Sequence, residues 1–214
     1  MQSKKLLIAG GNPTLLIWGC SEENRLVQAI EALRDVEQVG FVEIDKNISK
    51  LTMMGDELCI NAVLALASQG DLKGEVFASG VVGPVTYVNE DKTYALFSIP
   101  YKCFENIVLF DGIGYCLLET EHEFSKEELI EYAERFNLPA FGGVVYTNGA
   151  ISIMVYVVKT NSVCAETACG SGSVALHIIT GAEEIMQPSG QTIHVKKIGD
   201  AFEVSAKVTL ISEM

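Results

Sequence analysis

Apolar and polar residues alternate along the chain in two rhythms. Short runs with period-two alternation, or wholly apolar, predict strands at residues 5–9 (KLLIA), 14–18 (TLLIW), 39–44 (VGFVEI) and 50–54 (KLTMM). Residues 21–34 (SEENRLVQAIEALR) read instead as a helix. Ser21 stands where a cap belongs, acidic residues fill the first turn, and Leu26, Ile30 and Leu33 form an apolar face. Residues 59–68 (CINAVLALAS) predict a second helix, apolar on almost every side and therefore buried. Three further strand-like runs follow, 75–80, 84–89 and 93–100, separated by Gly and Asn turns.

The rest of the chain repeats this order. Strands are predicted at 106–110 and 115–119. Residues 125–137 (SKEELIEYAERFN) form an amphipathic helix, with Ser125 and Glu128 in capping-box register. Residues 141–147 and 151–158 read as strands joined by an Asn148-Gly149 turn, a strong hairpin signal. Residues 169–180 (CGSGSVALHIIT) are the second apolar helix, and 192–197 and 202–211 close the chain as strands. Strands, amphipathic helix, strands, cysteine-headed apolar helix, strands: the sequence occurs twice. It predicts an α+β fold of two similar halves with a boundary near residues 98–105. Residues 1–100 then carry Cys59 and residues 101–214 carry Cys169, with the last strand free to cross back.

The chain has 214 residues, 49% of them apolar and 20% charged, enough for a real core and unlike a disordered segment. The net charge of −13 repels phosphate backbones, so no nucleic-acid partner is expected. The N-terminal apolar run breaks at Gly10, Gly11, Asn12 and Pro13, and no stretch nears the length of a membrane span. A cytoplasmic protein with no membrane partner is the expectation. Six cysteines without an export signal read as thiols rather than a disulfide framework. No C-x-x-C occurs and His122, His177 and His194 are scattered, so no metal site is expected. Met53, Met54 and Cys164 read as packing residues.

Cys59 and Cys169 differ from the other cysteines because each heads an apolar helix. A helix N-terminus presents unpaired amides and partial positive charge, which bind a carboxylate and favour a thiolate. Gly170, Ser171 and Gly172 leave those amides accessible. Two such mouths facing each other could hold one carboxylate and set a sulfur on each face of its α-carbon. One thiolate would remove the α-proton while the opposite thiol returns one, with the amides at both mouths (residues 60–62, Ile60, Asn61 and Ala62, and residues 170–172) stabilising the carbanion.

Three stretches resemble the diaminopimelate epimerase superfamily of cofactor-independent two-cysteine racemases. GGNPTLLI (10–17) resembles its N-terminal Gly-Asn segment, LCINA (58–62) its first cysteine motif, and ETACGSGS (166–173) its second. QPSGQTIHV (187–195) resembles its late glycine turn and strand. The resemblance implies halves in which a mixed β-sheet wraps a central helix. It implies Cys59 and Cys169 as opposing acid and base, Asn12 and Asn61 as substrate-positioning residues, and neither pyridoxal phosphate nor a metal. The substrate implied is an amino acid, a small molecule, and a homodimer is allowed. Glu166 and Tyr115 are candidate supporting residues. Ile60 stands where the family has glycine. The arginine that grips the distal carboxylate of diaminopimelate has no counterpart near VVKTNS (157–162), and a further segment is reduced to GIGY (112–115). Those departures point away from diaminopimelate and towards the histidine racemase branch.

Other readings stay open. GSGS could begin a phosphate-binding loop, though it lacks the third glycine of a dinucleotide fingerprint and the lysine of a P-loop. Cys169 with His194 could serve a hydrolase. A PhzF-like isomerase of another small molecule could work through a carboxylate such as Asp56 or Glu57. A homologue that binds an amino acid without turning it over is the reading that needs no catalysis.

Overall fold

The structure, a computed structural model, describes residues 2–45, 48–120 and 122–214. β1 (Gln2–Ile8) and β2 (Gly11–Trp18) form a hairpin whose turn, Ala9-Gly10, takes positive φ at both residues (48° and 70°). After α1 (Glu22–Ala32), β3 (Gln38–Asp45) runs parallel to β2, and β4 (Ile48–Met53) turns back antiparallel. α2 (Ile60–Ala67) then leads into β5 (Lys73–Ala78), parallel to β4, and β6 (Val85–Asn89) and β7 (Thr93–Phe97) continue as an antiparallel meander. All eight residues of α2 are buried, as its unbroken apolar pattern requires, and strands β1 to β7 pack around it.

The second stretch begins with the hairpin β8 (Tyr101–Phe104) and β9 (Ile107–Phe110), then β10 (Gly114–Leu118). α3 (Lys126–Phe136) returns the chain to β11 (Ala140–Thr147), parallel to β10. β12 (Ala150–Val157) folds back through the Asn148-Gly149 turn, with φ of 51° and 78°. β13 (Ser162–Glu166) pairs with β12 and delivers the chain to α4 (Gly170–Thr180). β14 (Glu184–Met186) touches β12 in parallel, and β15 (Thr192–Ile198) and β16 (Ala201–Ala206) follow. α4 packs on β10, β15, β16 and α2. β16 pairs with β7, and β17 (Val208–Glu213) pairs with β1. One local order therefore recurs. β2, β3, β4 and β5 pair parallel, antiparallel, parallel, and so do β10, β11, β12 and β14, with a helix at the same steps. The result is a mixed α+β architecture dominated by strands.

Local chemistry explains most boundaries. The Ser125 hydroxyl accepts from the Glu128 amide while the Glu128 carboxylate accepts from the Ser125 amide, a complete capping box. α3 covers β11 with stacked rings, Tyr132 on Phe141 at 4.8 Å and Phe136 on Phe141 at 5.9 Å. α1 departs in part from its predicted face. Leu26 and Ile30 are exposed, while Leu33, the third residue of that face, packs on the core with Ala29 and Ala32. The Arg25 guanidinium lies 5.5 Å above the Phe41 ring and pairs with Glu43. Ser21 occupies the cap position, but its hydroxyl accepts from the Asn24 side chain rather than from a backbone amide. No helix among the described residues is long and apolar enough to cross a membrane.

Candidate active site

Cys59 and Cys169 are the N-caps of α2 and α4, each in extended backbone. Each sulfur accepts from the amide three residues on, Ala62 N for Cys59 and Gly172 N for Cys169, at 3.3 Å in both. Asn61 joins the two mouths. Its amide nitrogen donates to the Ala168 carbonyl (2.9 Å) and its oxygen accepts from Gly170 N (2.9 Å). Ile60 is fully buried against Gly170, where a Cβ would come within 2.6 Å of Ile60 Cγ2. The glycine expected at Ile60 is thus exchanged for close packing between the helices. Three of the six amides predicted to cradle a carboxylate already have protein acceptors, those of Ala62, Gly170 and Gly172.

Beside the first mouth lies a narrow cavity of about 20 Å³ as swept by the centre of a water molecule, room for roughly one water; Ser171 borders it from the second mouth, whereas Cys169 is not among its lining residues. Cys59, Tyr115, Ser171 and Glu166 line it, with Gln38, Glu57, Met54 and Cys164. A chain of polar contacts runs along it. The Cys59 thiol donates to Gln38 Oε1 (2.8 Å), and Gln38 Nε2 donates to Glu166 Oε1 (2.6 Å). Beyond Glu166, Tyr115 OH sits 3.5 Å from the Cys169 sulfur and 2.7 Å from Ser171 Oγ. Glu166 Oε2 is buried and has no hydrogen-bond partner among the described residues.

Burial decides the protonation states. It pushes both catalytic candidates' thiols well above the ordinary cysteine range, and the nearby Glu166 carboxyl pushes them further. The Ala62 and Gly172 amides pull in the opposite direction and lose. The predicted lowering of these thiols by the helix mouths is therefore overturned in this closed cleft. Burial also raises Glu57 and Glu166, each to about 7.

The remaining sequence candidates fall in distinct places. Asn12, buried at φ 44°, donates to Glu37 Oε2 (3.1 Å) and accepts from Thr14 Oγ1, while its own amide donates to Thr167 Oγ1. Glu37 also accepts from Thr167 N and Oγ1. Asp56 is exposed and paired with Lys159, whereas Glu57 faces the cavity. His194 contacts Lys92 Nζ at 2.9 Å and does not line the cavity, and His177 Nδ1 lies on the Ala182 carbonyl. Neither imidazole supplies the partner a Cys169 hydrolase requires. Met54 and Cys164, expected only to pack, line the cavity. Gln38 and Gln187 escaped sequence reasoning. Gln187 accepts from Cys169 N (2.8 Å) and donates to Ser173 Oγ, fixing the second mouth. Its signal was available, since QPSGQ stands out as a turn; Gln38 lies in a strand with no motif.

No protein-family model matches the chain, and no curated protein matches it in sequence. Solved structures match over its whole length. A phenazine biosynthesis PhzC/PhzF protein from Clostridium difficile is 13% identical with a TM-score of 0.63, covering 100% of this chain and 98% of the other. A structure titled a predicted epimerase, from Pseudomonas aeruginosa, is 11% identical with a TM-score of 0.68, covering 100% and 98%. A phenazine biosynthesis protein of the PhzF family from Enterococcus faecalis is 12% identical with a TM-score of 0.62, covering 99% and 97%. At these identities the match establishes the fold, the diaminopimelate epimerase-like one that PhzF proteins share.

Proposed function

We propose that this protein is an isomerase that moves a proton at a carbon next to a carboxylate, with Cys59 and Cys169 as opposing acid and base and no cofactor. The observation carrying this reading is the matched pair of sulfurs, each held 3.3 Å from the third amide of its own helix, on two mouths joined by Asn61. The recurring strand order supports reading the chain as two similar halves with the site between them. A substrate carboxylate would take the amides still free at the mouths, and the carbanion's charge would be stabilised there. Thiol and thiolate exchange roles with each turnover, so the pair titrates as a unit. An amino acid is the substrate class this arrangement suits, with histidine among the candidates.

A second reading is favoured by Glu166 and by the neighbours named for phenazine biosynthesis. The buried carboxyl lines the cavity, has one oxygen without a hydrogen-bond partner among the described residues, and is itself a proton carrier poised near neutrality. In that case the chain isomerises a small molecule other than an amino acid through Glu166. One experiment tests both the two thiols and the amino-acid substrate. The reduced protein is incubated in deuterium oxide with each common L-amino acid and with diaminopimelate, and loss of the α-proton is followed by NMR. Exchange abolished in both Cys59→Ala and Cys169→Ala establishes the two-thiol reading. Exchange that survives both but disappears in Glu166→Gln transfers the chemistry to the carboxyl. Absence of exchange with every amino acid refutes the amino-acid substrate.

A further inference from the structure

Two carboxyls face the cavity with no cation to meet them. Glu57 is 4% exposed and Glu166 5% exposed. Glu57 accepts from Gly55 N at 2.7 Å; Glu166 accepts from Gln38 on one oxygen, its other oxygen has no hydrogen-bond partner among the described residues, and the Cys169 thiol is its close neighbour. Glu37, the third acid at the cavity, is already engaged by Asn12 and Thr167. The other lining residues are hydroxyls, thiols, an amide and apolar side chains, without Lys, Arg or His among those described. Lys159 is the cation whose charge reaches Glu57, and it is paired with the exposed Asp56. Glu57 also raises Glu166 through space, and both burden the Cys59 thiol.

Buried acids are ordinarily paired, and an unpaired one disfavours its own ionisation and that of its neighbours. The α-ammonium of an amino acid could neutralise one of these carboxyls. The other would then be left buried against a substrate of no net positive charge. We infer that the cleft, once its walls part to make room beyond the present one-water cavity, takes a basic amino acid, one whose side chain ends in an amine, guanidine or imidazole, with the α-ammonium and the side-chain cation shared between Glu166 and Glu57. The inference rests on the amino-acid reading proposed above. A second cation would also relieve the negative field on the thiols, which would ease formation of the thiolate that the reaction needs.

The test compares ligands of nearly equal shape. Binding of L-arginine and of L-citrulline to the reduced wild-type protein is measured by calorimetry, as is binding of L-lysine and L-norleucine. The expected result is at least tenfold tighter binding of the cationic member of each pair. That preference should fall to within threefold in Glu57→Gln or in Glu166→Gln. Equal affinity within each pair, no binding of any cationic member, or an undiminished preference in both variants overturns the inference. Melting temperatures of the wild type with each ligand give the same comparison without reliance on a variant's folding. The α-proton exchange assay keeps the two ideas apart. Exchange confined to neutral amino acids removes the basic substrate and leaves the isomerase standing. Tight arginine binding without exchange on any amino acid does the reverse.

Discussion

Replacing Asn61 with alanine tests whether the two helix mouths are held together by that one side chain. The residue is 1% exposed and makes two bonds to backbone, one to the Ala168 carbonyl and one from Gly170 N, both 2.9 Å. Alanine removes both partners at once. A buried backbone group left unsatisfied costs about 1–3 kcal/mol, so the pair predicts a loss of about 2–6 kcal/mol. For a chain of this length, about 2–4 °C of melting temperature goes with each kcal/mol, so the melt should drop by roughly 4–24 °C. Urea denaturation followed by circular dichroism gives the free energy, and a scanning melt gives the temperature. Asn61→Asp is the informative companion. It keeps an acceptor for Gly170 N but sets a carboxylate oxygen against the Ala168 carbonyl, and should lose at least as much stability. A melting temperature for Asn61→Ala within about 2 °C of wild type would refute the reasoning, because the mouths would then be held by packing alone.

Stability should also depend on pH through the cavity acids. Glu57 and Glu166 hold their protons to about 7 in the folded chain, against an ordinary 4.5. The folded state therefore binds more protons than the unfolded one in this interval. Stability falls as pH rises from about 4.5 through 7, by about 3 kcal/mol for one such carboxyl. Urea midpoints at pH 5 and pH 8 should show the fall, and Glu166→Gln should reduce it; a flat profile in the wild type rules it out. Gly170→Ala should destabilise by about 1–3 kcal/mol because its Cβ would meet Ile60, and Ile60→Gly in the same chain should recover part of that loss in a double-mutant cycle. Strict additivity of the two changes would contradict it. Ser125→Ala should cost about 1 kcal/mol by removing the capping box, read from the urea midpoint.

Sequence reading went furthest where one local rule governs a whole element. α2 and α4 were legible from apolar runs headed by cysteine, α3 from its capping box, and the β11–β12 hairpin from Asn148-Gly149. It failed where tertiary contact decides. β8 has no buried residue, β14 is three residues long, and β13 lies between residues 158 and 169, where no element is predicted. α1 sets Arg25 over Phe41, a contact no periodicity contains. Within the cleft, Glu166 and Tyr115 were visible as neighbours of motifs, in sequence or by resemblance. Gln38 was invisible because its partners, Cys59 and Glu166, lie 21 and 128 residues away.

The closeness of the cleft gives the molecule a built-in clock. Cys59 and Cys169 are 5% and 2% exposed, whereas Cys103 lies on the surface. A soluble alkylating reagent should label Cys103 at once and reach the two helix-mouth thiols only during excursions that part the walls around them. The slow labelling reflects those excursions together with the raised pKa of the two thiols, so it is compared between free and liganded protein, with the surface thiol as an internal standard. Any compound that seats in the cleft should lengthen the slow phase in proportion to its occupancy, so the chain's own sulfurs can rank ligands before a reaction has been identified.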